Sequence, residues 1–543
     1  MARTSSRRTF LKQSLIASSA AAMAPLGACR SVAPASQLDL VLRGGTIVDG
    51  TGKAGFVADI GMRGDRIVVI GAIPGGDHRV VDASGLVVAP GFIDVHAHTD
   101  LRRQPKGPSK VYQGVTTDIT GPDGGSRLPR RLSDDESTLV ADAGACASYD
   151  AWAAEHGAIA MNIGSYVGHG TVRRLVLGND GRAPTAKELQ VMQSLIEQAL
   201  EQGAMGLSSG LEYFPGNMTA TDELVQLCAV AAKFDRPYVT HIRNEDDQLL
   251  EAIDEAIEIA RRAKTSLLIS HAKVGGKPNW HKVEPMLERI EQARREGLEV
   301  RCDRYPYEAW STSLSTNFPG WSKEGGHFIK RLQDPAERSR MRAETEQAVA
   351  ANGGWGTLML GGGLAEQDKV LAGRRIDEIA TERGVEPFEL ACELLTRGNV
   401  SILGFGMSEA NMDHIMVQPY CMVASDGSAV TAGRGGSHPR SFGTFPRAWR
   451  RYVRERKLLS AEEMVRKMTS LPAQALRMTE RGTLAPGMIA DVVAFDADRF
   501  TDRATYLKPQ QYAEGVAYLV VNGSLVVAGG KQVPAMPGRI VRG

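Results

Sequence analysis

The chain has 543 residues, with 64 Lys and Arg against 63 Asp and Glu, a formal net charge of +1, and 43% hydrophobic and 23% charged residues. That is an ordinary globular balance with no basic surplus to hold a phosphate backbone, so nucleic acid is set aside as a partner. The length accommodates two or three average domains, or one α/β barrel with additions.

In chain order, residues 1–36 come first. "RTSSRRTFLKQSLIASSAAAMAPLGAC" has a basic head, a mildly apolar stretch rich in Ala and Ser, and then small residues, the layout of an export signal. Arg7 and Arg8, followed by "TFLK", resemble the twin-arginine signal, which carries proteins already folded, often with a cofactor in place, a passage that a bound metal would survive. "LGAC", ending at Cys29, resembles a lipobox; lipid attachment at Cys29 and plain cleavage nearby both stay open. The apolar part is short of the ~20 residues that span a bilayer, so a periplasmic protein is expected, touching a membrane only through that lipid. Cys146, Cys228, Cys302, Cys392 and Cys421 have no CxxC spacing and read as core residues.

Residues 37–90 read as short β runs broken by Gly and Asp, such as "LDLVLRGGTIVDGTG" and "HRVVDASGLVVAP". The same style returns over 481–543, where "AYLVVNGSLVVAGGK" echoes the opening "LVLRGGTIVDG". Both chain ends are therefore expected to build one small β-sandwich around a continuous inserted domain. From 91 to 480 short apolar runs alternate with amphipathic helices. "RPYVTHIRN" precedes a stretch with Leu250, Ile253, Ile257 and Ala260 at helical spacing, and then comes "SLLISHAKV". Repeated βαβ units over this length predict a closed (β/α)8, TIM-like barrel with its chemistry at the C-terminal ends of the strands. Residues 311–407 are long for one barrel connection and are expected to form an insertion over the barrel mouth.

Polar residues stand where apolar runs end: His96 and His98 after "GFIDV", Asp123 after "VTTDITGP", His241 after "RPYVT", His271 after "SLLIS" and Asp426 after "CMVAS". Alternate strand positions face the same way, so His96 and His98 can grip one ion from one strand. Neutral imidazoles with a carboxylate suit zinc and leave a position open for water. A single histidine after a strand is more often structural. The ordered set across several strands is the argument for a metal site.

"PGFIDVHAHTD", "SYVGHGTVR", "GAMGLSSGLEYFPG", "THIRNE", "ISHAKV", "DRYPYEAWST", "SDG" and "HPRSFGTFPR" together resemble the D-aminoacylase (N-acyl-D-amino-acid deacylase) family of the amidohydrolase superfamily, in order over essentially all of the mature chain. The resemblance implies a (β/α)8 barrel with a β-sandwich and zinc held by His96, His98, His241, His271 and Asp426. The family usually has a bridging Cys in an "NCG" turn; here "PDG" places Asp123 there, a hard oxygen ligand that weakens the preference for zinc. One or two ions, zinc or another divalent metal, are expected.

The resemblance further implies hydrolysis of the amide of an N-acyl-D-amino acid, a small-molecule substrate. Asp426 would serve as general base and then acid, and Lys273, Tyr305, Ser311 and Arg440 would hold the substrate carboxylate. "GHG" around His169 and "GAMGLSSG" read as structural turns, and "EDDQ" (245–248) as a solvated face. Trp310, Phe318 and Trp321 either line an acyl pocket or pack the insertion's own core. Two other readings stay open: a dipeptidase or cyclic amidase of the same superfamily, and a lipoprotein that binds its ligand without turnover.

Overall fold

The computed structural model describes residues 38–131, 139–142, 144, 146–434 and 438–543; the export signal and Cys29 lie outside these residues. Eight parallel strands follow one another: Phe92–Ala97, Val115–Thr120, Asn162–Ser165 continued by Val167–Gly168, Leu207–Gly210, Tyr238–His241, Leu267–Ile269, Val300–Arg304 and Cys421–Val423. Each pairs with the next. The ring closes where Ala97 bridges Gly427, with the Asp426 N–H donating to the His96 carbonyl at 2.9 Å and the His98 N–H to the Gly427 carbonyl at 2.8 Å. The seam of the barrel therefore runs through the two segments that carry His96, His98 and Asp426.

Helices wrap the strands because their apolar residues recur at turn spacing. In Leu249–Ala263 the buried set is Leu249, Ala252, Ile253, Ala256, Ile257, Ile259, Ala260 and Ala263, and Lys264 ends the helix in the left-handed region. Ala186–Glu201 begins on a capping box: Thr185 Oγ accepts from the Glu188 N–H while the Glu188 carboxylate accepts from the Thr185 N–H. The barrel interior is filled by Ile93, Val95, Ile119, Val239, Leu268 and Met422.

Both chain ends meet in a nine-stranded sheet. Strands between Leu40 and Pro90 and strands between Val492 and Gln532 join where Val87–Pro90 lies antiparallel to Val492–Phe495. Gly91 is the only residue between this sheet and the first barrel strand, and a Cβ there would meet Thr116 at 2.2 Å. The glycine lets sheet and barrel abut.

Between the seventh and eighth barrel strands, Trp310–Ser313, Ser401–Gly404 and Leu358–Leu360 form an antiparallel sheet. Helices Pro335–Ala351 and Pro387–Arg397 pack with it around Leu314, Phe318, Leu332, Met341, Phe388 and Ile402, a core of their own. The start of this insertion borders the barrel mouth. Among the described residues no helix is long and apolar enough to cross a membrane, and the five cysteines there are buried and free.

Candidate active site

The six expected ligands converge as two groups with a shared member. Ligand atoms of His96, His98, Asp123 and Asp426 lie within 4.8 Å of one another, as do those of Asp123, His241 and His271. Asp123 Oδ2 is 3.2 Å from His96 Nε2 and 3.4 Å from His98 Nε2, whereas Oδ1 faces His271 Nε2 at 3.5 Å. His98 Nε2 is 3.1 Å from Asp426 Oδ1, and His241 Nδ1 is 2.8 Å from His271 Nε2. Asp123 Oδ1 is buried with no hydrogen-bond partner, a costly arrangement for a carboxylate oxygen unless a cation takes it up. Four imidazoles and two carboxylates offering one open cluster of nitrogen and oxygen atoms suit divalent ions, one on each side of Asp123.

Backbone conformation aims three of these side chains. Asp123 (φ 54°), His271 (φ 33°) and Asp426 (φ 48°) sit in the left-handed region, which costs a non-glycine residue about 1–3 kcal/mol. The Asp123–Gly124 turn is pressed against the fourth strand, where a Cβ on Gly210 would lie 2.2 Å from the Asp123 carbonyl oxygen. Glycine in "GLSSG" thus makes room for the turn that presents Asp123. On the first strand the pairing register shifts between Asp94 and Ala97. Asp94, before the shift, is bonded to Lys110, while His96, two residues on, faces Asp123 and Asp303. Simple alternation would give them one set of partners, and the bulge separates them.

Burial opposes charge on Asp123, but the imidazoles of His96 and His271 hold its carboxyl well below the usual carboxylate range. Burial likewise opposes charge on Asp426, and Arg440 with His96 keeps that carboxyl low, Arg440 Nη1 donating to Asp426 Oδ2 at 2.7 Å.

Three carboxylates that the sequence analysis missed stand behind the imidazoles. Asp303 Oδ2 is 3.4 Å from His96 Nδ1, Glu212 Oε2 is 2.7 Å from His241 Nε2, and Glu245 Oε1 is 3.1 Å from His271 Nδ1. In the His96 and His241 rings one nitrogen faces the ligand cluster and the other a carboxylate, which sets tautomer and orientation. His271 Nδ1 lies between Glu245 and the Lys273 ammonium, the latter at 2.6 Å. Glu212→Gln is expected to weaken divalent-ion affinity by about 10- to 100-fold, read by chelator-competition titration. Unchanged affinity would show that Glu212 does not orient His241.

The "EDDQ" expectation needs correction. Glu245 is not on a solvated face: its side chain is 13% exposed and accepts from Lys273 Nζ at 2.6 Å. Asp246 is also buried, and only Asp247 and Gln248 face solvent. The loop is drawn inward because the buried Lys273 ammonium needs an acceptor and Asn352 of the insertion bonds Asp246. His169, in contrast, turns to Glu223 at 3.0 Å.

A cavity of ≈ 390 Å³ opens on His241, His271 and Asp426. Lys273, Tyr305 and Ser311 line it. Tyr305 is fully buried, yet its hydroxyl has no partner. Arg440 lines a second cavity beside His98, Asp123 and Asp426, and Ser311 borders both. Arg440 begins helix Arg440–Ala448, and its guanidinium lies 5.0 Å over the Tyr305 ring. The four substrate residues named from sequence are therefore gathered around one point. Trp310 and Phe318 line the first cavity, whereas Trp321 packs under Arg340, outside its wall.

Fold and site together define a metal-dependent barrel hydrolase. Residues 79–303 and 333–527 match the amidohydrolase family. The chain is 35% identical over 516 residues to N-acyl-D-glutamate deacylase of Alcaligenes xylosoxydans xylosoxydans, covering 93% of this chain and 97% of that one. It is 34% identical over 498 residues to the D-aminoacylase of the same organism, covering 90% and 94%. Among solved structures, Bordetella bronchiseptica N-acyl-D-glutamate deacylase, complexed with zinc and a phosphonate inhibitor, superposes with a TM-score of 0.78 at 34% identity, covering 94% of this chain and 100% of that one. The chain belongs to the amidohydrolase family, in its D-aminoacylase branch.

Proposed function

We propose that this protein hydrolyses the amide bond of N-acyl-D-amino acids, releasing a carboxylic acid and a D-amino acid. The observation that carries this is the placing of Asp426, among the ligands, at the border of a cavity whose wall holds Lys273, Tyr305 with its unpartnered hydroxyl, and Ser311. His96, His98, Asp123 and Asp426 would hold one ion, and Asp123, His241 and His271 a second; zinc is the metal named for the Bordetella relative. A divalent ion in such a site lowers the pKa of water towards ~7 and polarises the carbonyl.

The chain's own residues do the rest. Asp426, ionised at neutral pH, accepts the proton of the attacking water as its oxygen bonds to the carbonyl carbon, and delivers it to the departing nitrogen as the C–N bond breaks. Lys273, Tyr305 and the Arg440 fork supply fixed donors for the α-carboxylate, holding the amide against Asp426. Preference for the D series rests on the relatives, since no residue spacing derives it.

The basic head with Arg7 and Arg8 supports export in folded form to the periplasm, and "LGAC" supports a lipid on Cys29. The test of the reaction is amine release from matched N-acyl-D- and N-acyl-L-amino acids by zinc-loaded protein and a chelated control. Chelator-sensitive hydrolysis of the D series alone is expected. Silence on both series with metal bound would overturn the reading and move the search to dipeptides, cyclic amides or a binding role.

A further inference from the structure

We propose that the amino-acid half of the substrate carries a cationic side chain, an aliphatic stem ending in an ammonium or guanidinium group. This rests on the deacylase reading and adds to it the substrate class. The amino-acid half belongs in the ≈ 390 Å³ cavity because Lys273 and the free Tyr305 hydroxyl, suited to its α-carboxylate, line that space. Beyond them Trp310 and Phe318 give an apolar stretch of wall for a stem.

The remaining rim is acidic. Glu212, Asp246 and Asp247 come from the loops after the fourth and fifth barrel strands, and Glu344 from insertion helix Pro335–Ala351. Arg243 and Lys273 are the cations in this wall: Arg243 is spent on structural partners, and Lys273, which faces the α-carboxylate, is already balanced by Glu245. Arg243 is bonded to Glu255 at 2.7 and 2.9 Å and to the carbonyls of Asn217 and Thr219. Among the described residues no Lys or Arg forms a salt bridge with Glu212, Asp246, Asp247 or Glu344. Glu212 faces His241, Asp246 accepts from Asn352, Asp247 from Asn244, and Glu344 from the Trp321 indole. Burial, then Asp247 and the charge of Glu212, push the Asp246 carboxyl up to about 7. Lys282 Nζ is spent on the Asp246 and Asp247 carbonyls at 3.1 and 2.7 Å and meets neither carboxylate. An acidic side chain would bring a further carboxylate against this rim, and like charges placed together repel. The expected preference therefore departs from the substrate for which the glutamate deacylase relatives are named.

The test is steady-state hydrolysis of N-acetyl-D-Lys, -D-Arg, -D-Gln, -D-Met and -D-Glu by the zinc-loaded protein. The D-Lys and D-Arg derivatives should exceed the D-Glu derivative in kcat/KM by at least about tenfold, with the ratio shrinking as salt is added. In the exposed-site variants Asp247→Asn and Glu344→Gln the Lys-to-Glu ratio should fall, with D-Met as the uncharged reference. D-Glu equal to or better than D-Lys, or a ratio unmoved in both variants, would overturn the proposal and leave the deacylase reading standing. No hydrolysis of any of the five would sink that reading instead.

Discussion

Asp426→Asn is expected to lower turnover by about 10²- to 10⁴-fold, the range for losing a positioned proton carrier, while substrate or inhibitor binding changes far less. The amide keeps the shape of the carboxylate and one oxygen towards His98, so a metal ligand is weakened but not deleted. It cannot take a proton from water and pass it to nitrogen. The substitution also removes the partner of Arg440, and both side chains are only 8% exposed. Stranding a buried charge costs about 3–5 kcal/mol, so a lower unfolding midpoint should accompany the loss. The two effects separate in the double variant Asp426→Asn/Arg440→Gln, which returns stability and leaves turnover low. A ligand-binding protein without catalysis would show the stability change alone, and turnover within about threefold of the parent would remove Asp426 from the proton path.

The ligands were legible in the sequence for a physical reason. A parallel barrel buries its strands, so their residues are apolar until the C-terminal end, and a His or Asp standing there is conspicuous. His96, His98, Asp123, His241, His271 and Asp426 announced themselves in this way and the structure brings all six together. Asp303 carries a signal of its own: a carboxylate inside the buried strand Val300–Arg304 needs a partner, and that partner is His96. Glu245 gave none. In "NEDDQ" it is one acidic residue among three, and only the packing of its loop against Lys273 separates it from the exposed Asp247. Glu212 lies just past a glycine-rich run whose glycines are spent on close backbone approach, and local pattern says nothing of the histidine it meets. The fold class followed from periodicity, a sum over many residues, whereas these carboxylates depend on single side chains brought together by tertiary structure.

Asp123→Ala is expected to remove about one divalent ion per chain. Asp123 belongs to both ligand groups, but the two do not depend on it equally. Without it His96, His98 and Asp426 still supply three ligands, the number that catalytic zinc sites commonly draw from protein. His241 Nδ1 and His271 are left as a pair, because Glu212 and Glu245 lie on the other nitrogen of His241, and two imidazoles are too few to hold an ion through dialysis. Metal analysis of dialysed protein should therefore drop by about one equivalent, and electron paramagnetic resonance of a manganese-loaded sample should lose any coupling between neighbouring ions. Asp123→Cys offers the complementary result. A thiolate can reach both groups through its single sulfur, so the second ion should be retained while selectivity moves from manganese towards zinc, because sulfur is the softer ligand. Unchanged stoichiometry in Asp123→Ala would mean that the aspartate does not bridge. Oδ2 faces His96 and His98 and Oδ1 faces His271, so each ligand group would have one carboxylate oxygen of Asp123 to draw on.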